Sequence, residues 1–139
     1  MDGVCPFPLQ GGRLGWGSTA ATSLIAFALA PHAQAASCDG AWPHRVQLDG
    51  VTIVFATQPT PVKVGRHFTL SGVVCPVAQT LRVDADMPAH RHGMTYRAST
   101  ELQADGRFSS RGLLFHMPGR WRFIFDIGAT RLTHDLSVE

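Results

Sequence analysis

The sequence is poor in most of the features that would name a chemistry outright. Of twelve basic residues, eleven are Arg and only Lys63 is Lys. They are spread along a chain of net charge +2, with no basic run interleaved with aromatics, so nucleic-acid binding is not indicated. This balance favours an anionic membrane surface only weakly. Beyond residue 35 there are few Ser residues and no G-x-S-x-G elbow. There is no H-E-x-x-H pair and no phosphate-cradling Gly loop. An enzyme is therefore not expected, redox chemistry at a copper centre being the one kind these absences leave open. No internal repeat and no linker long enough for a second domain appear in the 139 residues. No window after Ala36 keeps a helical apolar period over three turns, which argues against a helical domain.

What is present begins with a leader. Arg13 precedes Ser18–Ala30, a stretch rich in Ala, Leu, Ile and Phe, and Ala33-Gln34-Ala35 follows as a small-x-small cleavage pattern. This layout is that of a secretory signal peptide over residues 1–35. Its segment before the apolar run is atypical, with Asp2 offsetting Arg13 and several Gly and Pro, as if the true start lay downstream of Met1. The apolar run is about 13 residues against the roughly 20 of a spanning helix, so cleavage is favoured over a retained anchor. Lipidation at Cys38 is a third reading, weakened by the lack of Leu before Ala35-Ala36-Ser37. The expected product is a periplasmic or secreted domain, residues 36–139, without a transmembrane helix.

Cleavage removes Cys5 and leaves Cys38 and Cys75, an even count that an exported chain joins as a disulfide. Closing a loop of about 38 residues contributes about 4 kcal/mol in the chain-entropy picture. Two free buried thiols, or thiolates on a metal, are the alternatives.

The domain reads as strands and turns. Trp121, Phe123, Phe125 and Ile127 alternate with Arg120, Arg122 and Asp126. Leu81, Val83, Ala85 and Met87 alternate with Arg82, Asp84 and Asp86. Leu132, His134, Leu136 and Val138 form a third set, which places His134 on an apolar face as a core or edge histidine. Val51–Thr57, His67–Cys75, Met94–Thr100 and Arg107–Phe115 complete about seven strands. Ala104-Asp105-Gly106 is a hairpin signal, and Met117-Pro118-Gly119 sets Pro and Gly as a type II turn requires. The expectation is an all-β, immunoglobulin-like antiparallel β-sandwich, with a small closed barrel as the rival.

Chemistry gathers in two short pieces. DMPAHRHGMT, Asp86–Thr95, holds Met87, His90, His92 and Met94; FHMPG holds His116 and Met117. Every Met beyond the leader lies in one of them. Thioether and imidazole together suit copper, above all Cu(I) rather than Cu(II). A zinc site would normally use Cys, His and carboxylate, which the Met content argues against. With no metal at all, the same residues simply pack as caps on two loops. If Met94–Thr100 is a strand running away from the first piece, the strand after the Asp105-Gly106 turn returns His116 and Met117 to the same end; a crossover at Met94–Thr100 breaks that count. An extended His90–Met94 would aim His90, His92 and Met94 to one side, with Gly93 allowing a close backbone approach. Such a site needs neutral imidazoles and binds more weakly as pH drops. Asp86 is the candidate to orient one imidazole.

The segments VDADMPAHRHGM and ADGRFSSRGLLFHMPGRWRFIF resemble the YtkA-like family and its FixH-like relatives. Met87, Pro88, His90, His92 and Gly93, then Gly106, then Met117, Gly119 and Trp121 carry the resemblance, which spans roughly residues 61–138. Arg91 stands where family members often have Gly. The resemblance implies an immunoglobulin-like exported domain in periplasmic copper handling or cytochrome oxidase assembly, with a copper-dependent periplasmic or membrane protein as partner. No membrane helix follows the domain, unlike a FixH-type subunit. A metal-free interaction module remains the alternative.

Overall fold

The computed structural model describes residues 34–139; the expected leader lies outside them apart from Gln34 and Ala35. Nine strands form two antiparallel sheets: β1 (His44–Leu48), β2 (Val51–Gln58), β3 (His67–Cys75), β4 (Arg82–Met87), β5 (His92–Gly93), β6 (Ser99–Leu102), β7 (Arg107–Leu114), β8 (Gly119–Ile127) and β9 (Thr130–Val138). One sheet has the order β1-β2-β3-β7-β6 and the other β5-β4-β8-β9. Leaving out β1, this is the strand order of an immunoglobulin-type sandwich, with the four-stranded A-B-E-D layer facing C′-C-F-G. The described residues contain no helix, and so none long and apolar enough to cross a membrane.

Alternation in the sequence becomes the two faces of each sheet. Val83, Ala85 and Met87 of β4 and Trp121, Phe123 and Phe125 of β8 are buried between the layers, in one core with Ile53, Phe55, Leu70, Val74 and Leu113 of the opposite sheet and Phe115 just past its strand β7. The charged partners face out and pair there: Arg131 with Asp126 at 2.6 Å and Arg122 with Asp135 at 2.8 Å. The hydrogen bond from Arg131 holds the Asp126 carboxyl below the usual carboxylate range, and the one from Arg122 does the same for Asp135.

Two elements differ from expectation. His44–Leu48 forms β1 although its sequence, HRVQL, gives little apolar alternation; as an edge strand its outer face stays in water. Met94–Thr100 is not a strand. The chain leaves the four-stranded sheet after Gly93, crosses to the other layer and pairs again only from Ser99. The cause is the Greek-key order: β5 is two residues long and β6 belongs to the facing sheet. The crossover removes the basis of the direction count, since no strand runs away from the first piece over Met94–Thr100; the two pieces reach one end by another path, through β6, which runs antiparallel to β7 with Leu102 opposite Phe108. The Asp105-Gly106 turn joins them as read, with Gly106 at φ 92°.

Cys38 and Cys75 are disulfide-bonded, with Cα atoms 6.1 Å apart, so the free-thiol and thiolate alternatives do not apply. The bond lies at the base of the sandwich, where Cys75 ends β3 and the Ala36 amide donates to the Asp105 carbonyl. His67 opens β3 at the other end, opposite Leu114.

Candidate metal centre at the sandwich rim

The rim opposite the disulfide is built from two connections. The first is the β4–β5 hairpin. Met87 pairs with His92, and Pro88–Arg91 form the loop between them. The amides of His90 and Arg91 both donate to the Met87 carbonyl, at 2.9 and 3.0 Å. Met87-Pro88-Ala89-His90 is thus a β-turn with Pro at its second position, where a fixed φ favours it. Arg91 then takes a left-handed φ of 56° to return the chain to the ladder. Gly93 allows the return to be close: a Cβ there would stand 3.3 Å from the Ala85 carbonyl oxygen.

The second connection is the arch from β7 to β8, which changes sheets. Phe115 turns inward and is fully buried, so His116 turns out. Gly119 ends the arch at φ 129°, and a Cβ there would stand 2.5 Å from Met87 Cε. The Trp121 indole Nε1–H donates to the Met117 carbonyl at 3.0 Å, tying the arch to β8.

These connections place three imidazoles in a row. The His90 and His92 rings lie 5.7 Å apart, and the His92 and His116 rings 5.1 Å apart. Trp121 lies 6.0 Å from His92 and 5.3 Å from His116. His90 and His116 are exposed and His92 half-buried. Met87 shares the inward side of the hairpin with its pair His92, and is 2% exposed. Met94 and Met117 are half-buried against the core. The extended run that would aim His90, His92 and Met94 together is not formed: His90 sits in the turn, and only His92 and Gly93 are in a strand. Met94 lies past the strand, where it lines a cleft of about 230 Å³ with Asp84, Asp86 and Tyr96.

Asp86 does not orient an imidazole. It pairs with Gly93, so it faces the outer side of the sheet while Met87 and His92 face inward. Its shielded Oδ1 has no hydrogen-bond partner. The backbone fills the role instead: His92 Nδ1 lies 3.3 Å from the Gly93 carbonyl oxygen, a long hydrogen bond when Nδ1 carries the proton. That tautomer leaves Nε2 unprotonated, the nitrogen that could accept an ion.

The donor set fits a soft monovalent ion better than zinc. Two imidazoles sharing an ion at about 2.0–2.1 Å from each nitrogen set their ring centres roughly 5–6 Å apart. His92 with His116 meets that spacing, and so does His90 with His92; only the first pair joins two separate connections. Among the described residues, no group of three or more His, Cys, Asp or Glu side chains is gathered closely enough to hold a metal.

Trp121 is the rim residue the sequence reading missed as a contact. Its alternation marked it only as core, and nothing in the spacing indicates that two imidazoles stand beside it. No family model, no curated protein and no solved structure matches the chain.

Proposed function

We propose that this is an exported copper-binding protein, a carrier rather than an enzyme, which holds Cu(I) in preference to Cu(II) at the rim. His92 and His116 are its central ligands, Met87 and Met117 supply sulfur, and His90 and Met94 are peripheral. One observation carries the reading: imidazoles from two separate connections stand 5.1 Å apart, a spacing suited to a shared ion. The adjoining methionines add the soft ligand that favours Cu(I). The likeness of MPAHRHGM and MPGRW to the YtkA-like pattern points the same way, towards copper handling or oxidase assembly with a copper-dependent partner.

Isothermal titration under reducing conditions tests this. The expected result is one Cu(I) per chain, bound more tightly than micromolar. His92→Ala/His116→Ala should weaken binding at least about 100-fold, some 2.7 kcal/mol. His90→Ala, at one end of the row, should cost about tenfold or less. Wild-type binding weaker than micromolar, or an unaffected double variant, sinks the proposal.

A second reading has its own support. Met87 is buried, and Met94 and Met117 pack on the core, as caps would in a metal-free interaction module. It predicts that the same double variant loses thermal stability equally with and without copper, and that a partner from a periplasmic extract still binds.

A further inference from the structure

We infer that Trp121 is a wall of this metal site and biases it towards the monovalent ion, an inference that rests on the copper reading above. The indole is fully buried, and its orientation is fixed on two sides. Its Nε1–H is held by the Met117 carbonyl, a backbone group of the same arch that carries His116. Phe115 stacks on it with ring centres 4.4 Å apart and planes 11° apart. His92 and His116 stand steeply to the indole, at 65° and 80°. An ion shared by these two imidazoles lies within reach of the indole, since cation–π attraction acts to about 6 Å from a ring centroid and is strongest for Trp.

The consequence is selective. Cu(I) is satisfied by two or three soft or imidazole ligands, and an aromatic ring beside it adds attraction without adding a bond. Cu(II) prefers tetragonal nitrogen and oxygen ligation. A buried indole offers no oxygen and occupies space that water would take, so it favours the lower oxidation state. A purely structural tryptophan would support both ions equally.

The test uses the full chain. Trp16→Phe with Trp42→Phe leaves Trp121 as the sole indole of the three. Ag(I), a redox-inert stand-in for Cu(I), should quench its emission, with saturation at one equivalent. In the otherwise native chain, Trp121→Phe and Trp121→Leu are compared by competition titration with Cu(I) and Cu(II), alongside melts without metal. Cu(I) affinity should fall about threefold with Phe and about tenfold or more with Leu, while Cu(II) affinity stays within about twofold. Unchanged emission at saturating Ag(I), or equal losses for both oxidation states, overturns the inference and leaves the copper reading standing. If the native chain binds neither ion, both fall together. If Trp121→Leu does not fold, the emission titration decides alone.

Discussion

Two histidines away from the rim set how stability responds to pH. His44 on β1 stacks on Phe55 and lies 4.9 Å from His134 on β9, which meets the same Phe55 edge-on. Burial pushes the His44 imidazole below its ordinary value of 6.5, and a charge on His134 pushes it further. Burial lowers His134 as well, partly offset by neighbouring Asp135. Both groups bind protons more readily unfolded than folded. Stability is therefore fully present above 6.5 and is lost as pH falls below it towards the folded values. The carboxylates held low, Asp126 and Asp135, start from 3.8 and lose their contribution only in stronger acid. A melting temperature followed from pH 8 to pH 5 should therefore fall, and His44→Gln/His134→Gln should flatten that fall; an equal fall in the variant would refute the assignment. His134 was readable in advance because LTHDLSV alternates. Its partner was not, because His44 lies in a strand whose pattern is too polar to show itself.

At the level of the element, the rim depends on two left-handed positions. Arg91 holds φ 56° in the β4–β5 loop, where a non-Gly residue costs about 1–2 kcal/mol. Arg91→Gly should thus gain up to about 1 kcal/mol, after the entropy glycine gives back, and Arg91→Val should lose about that much. Gly119 holds φ 129° at the end of the arch, beside the Met87 methyl. The flexible methionine end can swing aside, so Gly119→Ala is penalised mainly by its backbone, by about 1–3 kcal/mol. Urea midpoints would measure all three; a neutral Gly119→Ala would show that the arch tolerates another conformation. Strands β4, β8 and β9 were legible because each alternates, and the β6–β7 hairpin because of its Asp105-Gly106 turn. The Met94–Thr100 crossover was not. Its residues are half apolar and β-tolerant, and only the pairing of β6 with β7 in the facing sheet reveals that the chain changes layers there. The hairpin posed the same difficulty, because H-x-H-x-M reads as extended unless the Pro88 turn is taken to its end.

Across the whole molecule, the disulfide and the rim lie at opposite ends of one strand. His67 at the start of β3 is beside the rim, Cys75 closes it at the base, and nine residues span roughly 27 Å. The described chain enters at the base through Ala36, whereas its last strand finishes at the rim, with Val138 opposite Gly119. Sequence shows both groups of residues, but only the sandwich order shows that they are far apart. Sites this distant with no shared partners contribute additively. Cys38→Ser/Cys75→Ser removes a cross-link with a separation of 37 residues, and should cost about 4 kcal/mol. It should nevertheless leave the Cu(I) affinity proposed for the rim within about twofold. Metal at 100 times its dissociation constant adds about 2.7 kcal/mol to whichever chain binds it. The increment on loading should therefore be equal with and without the disulfide, measured from paired denaturation curves of apo and loaded protein. An increment that shrinks when the bond is lost would mean that the base holds the rim in shape, and that the His92–His116 spacing depends on a constraint at the far end of β3.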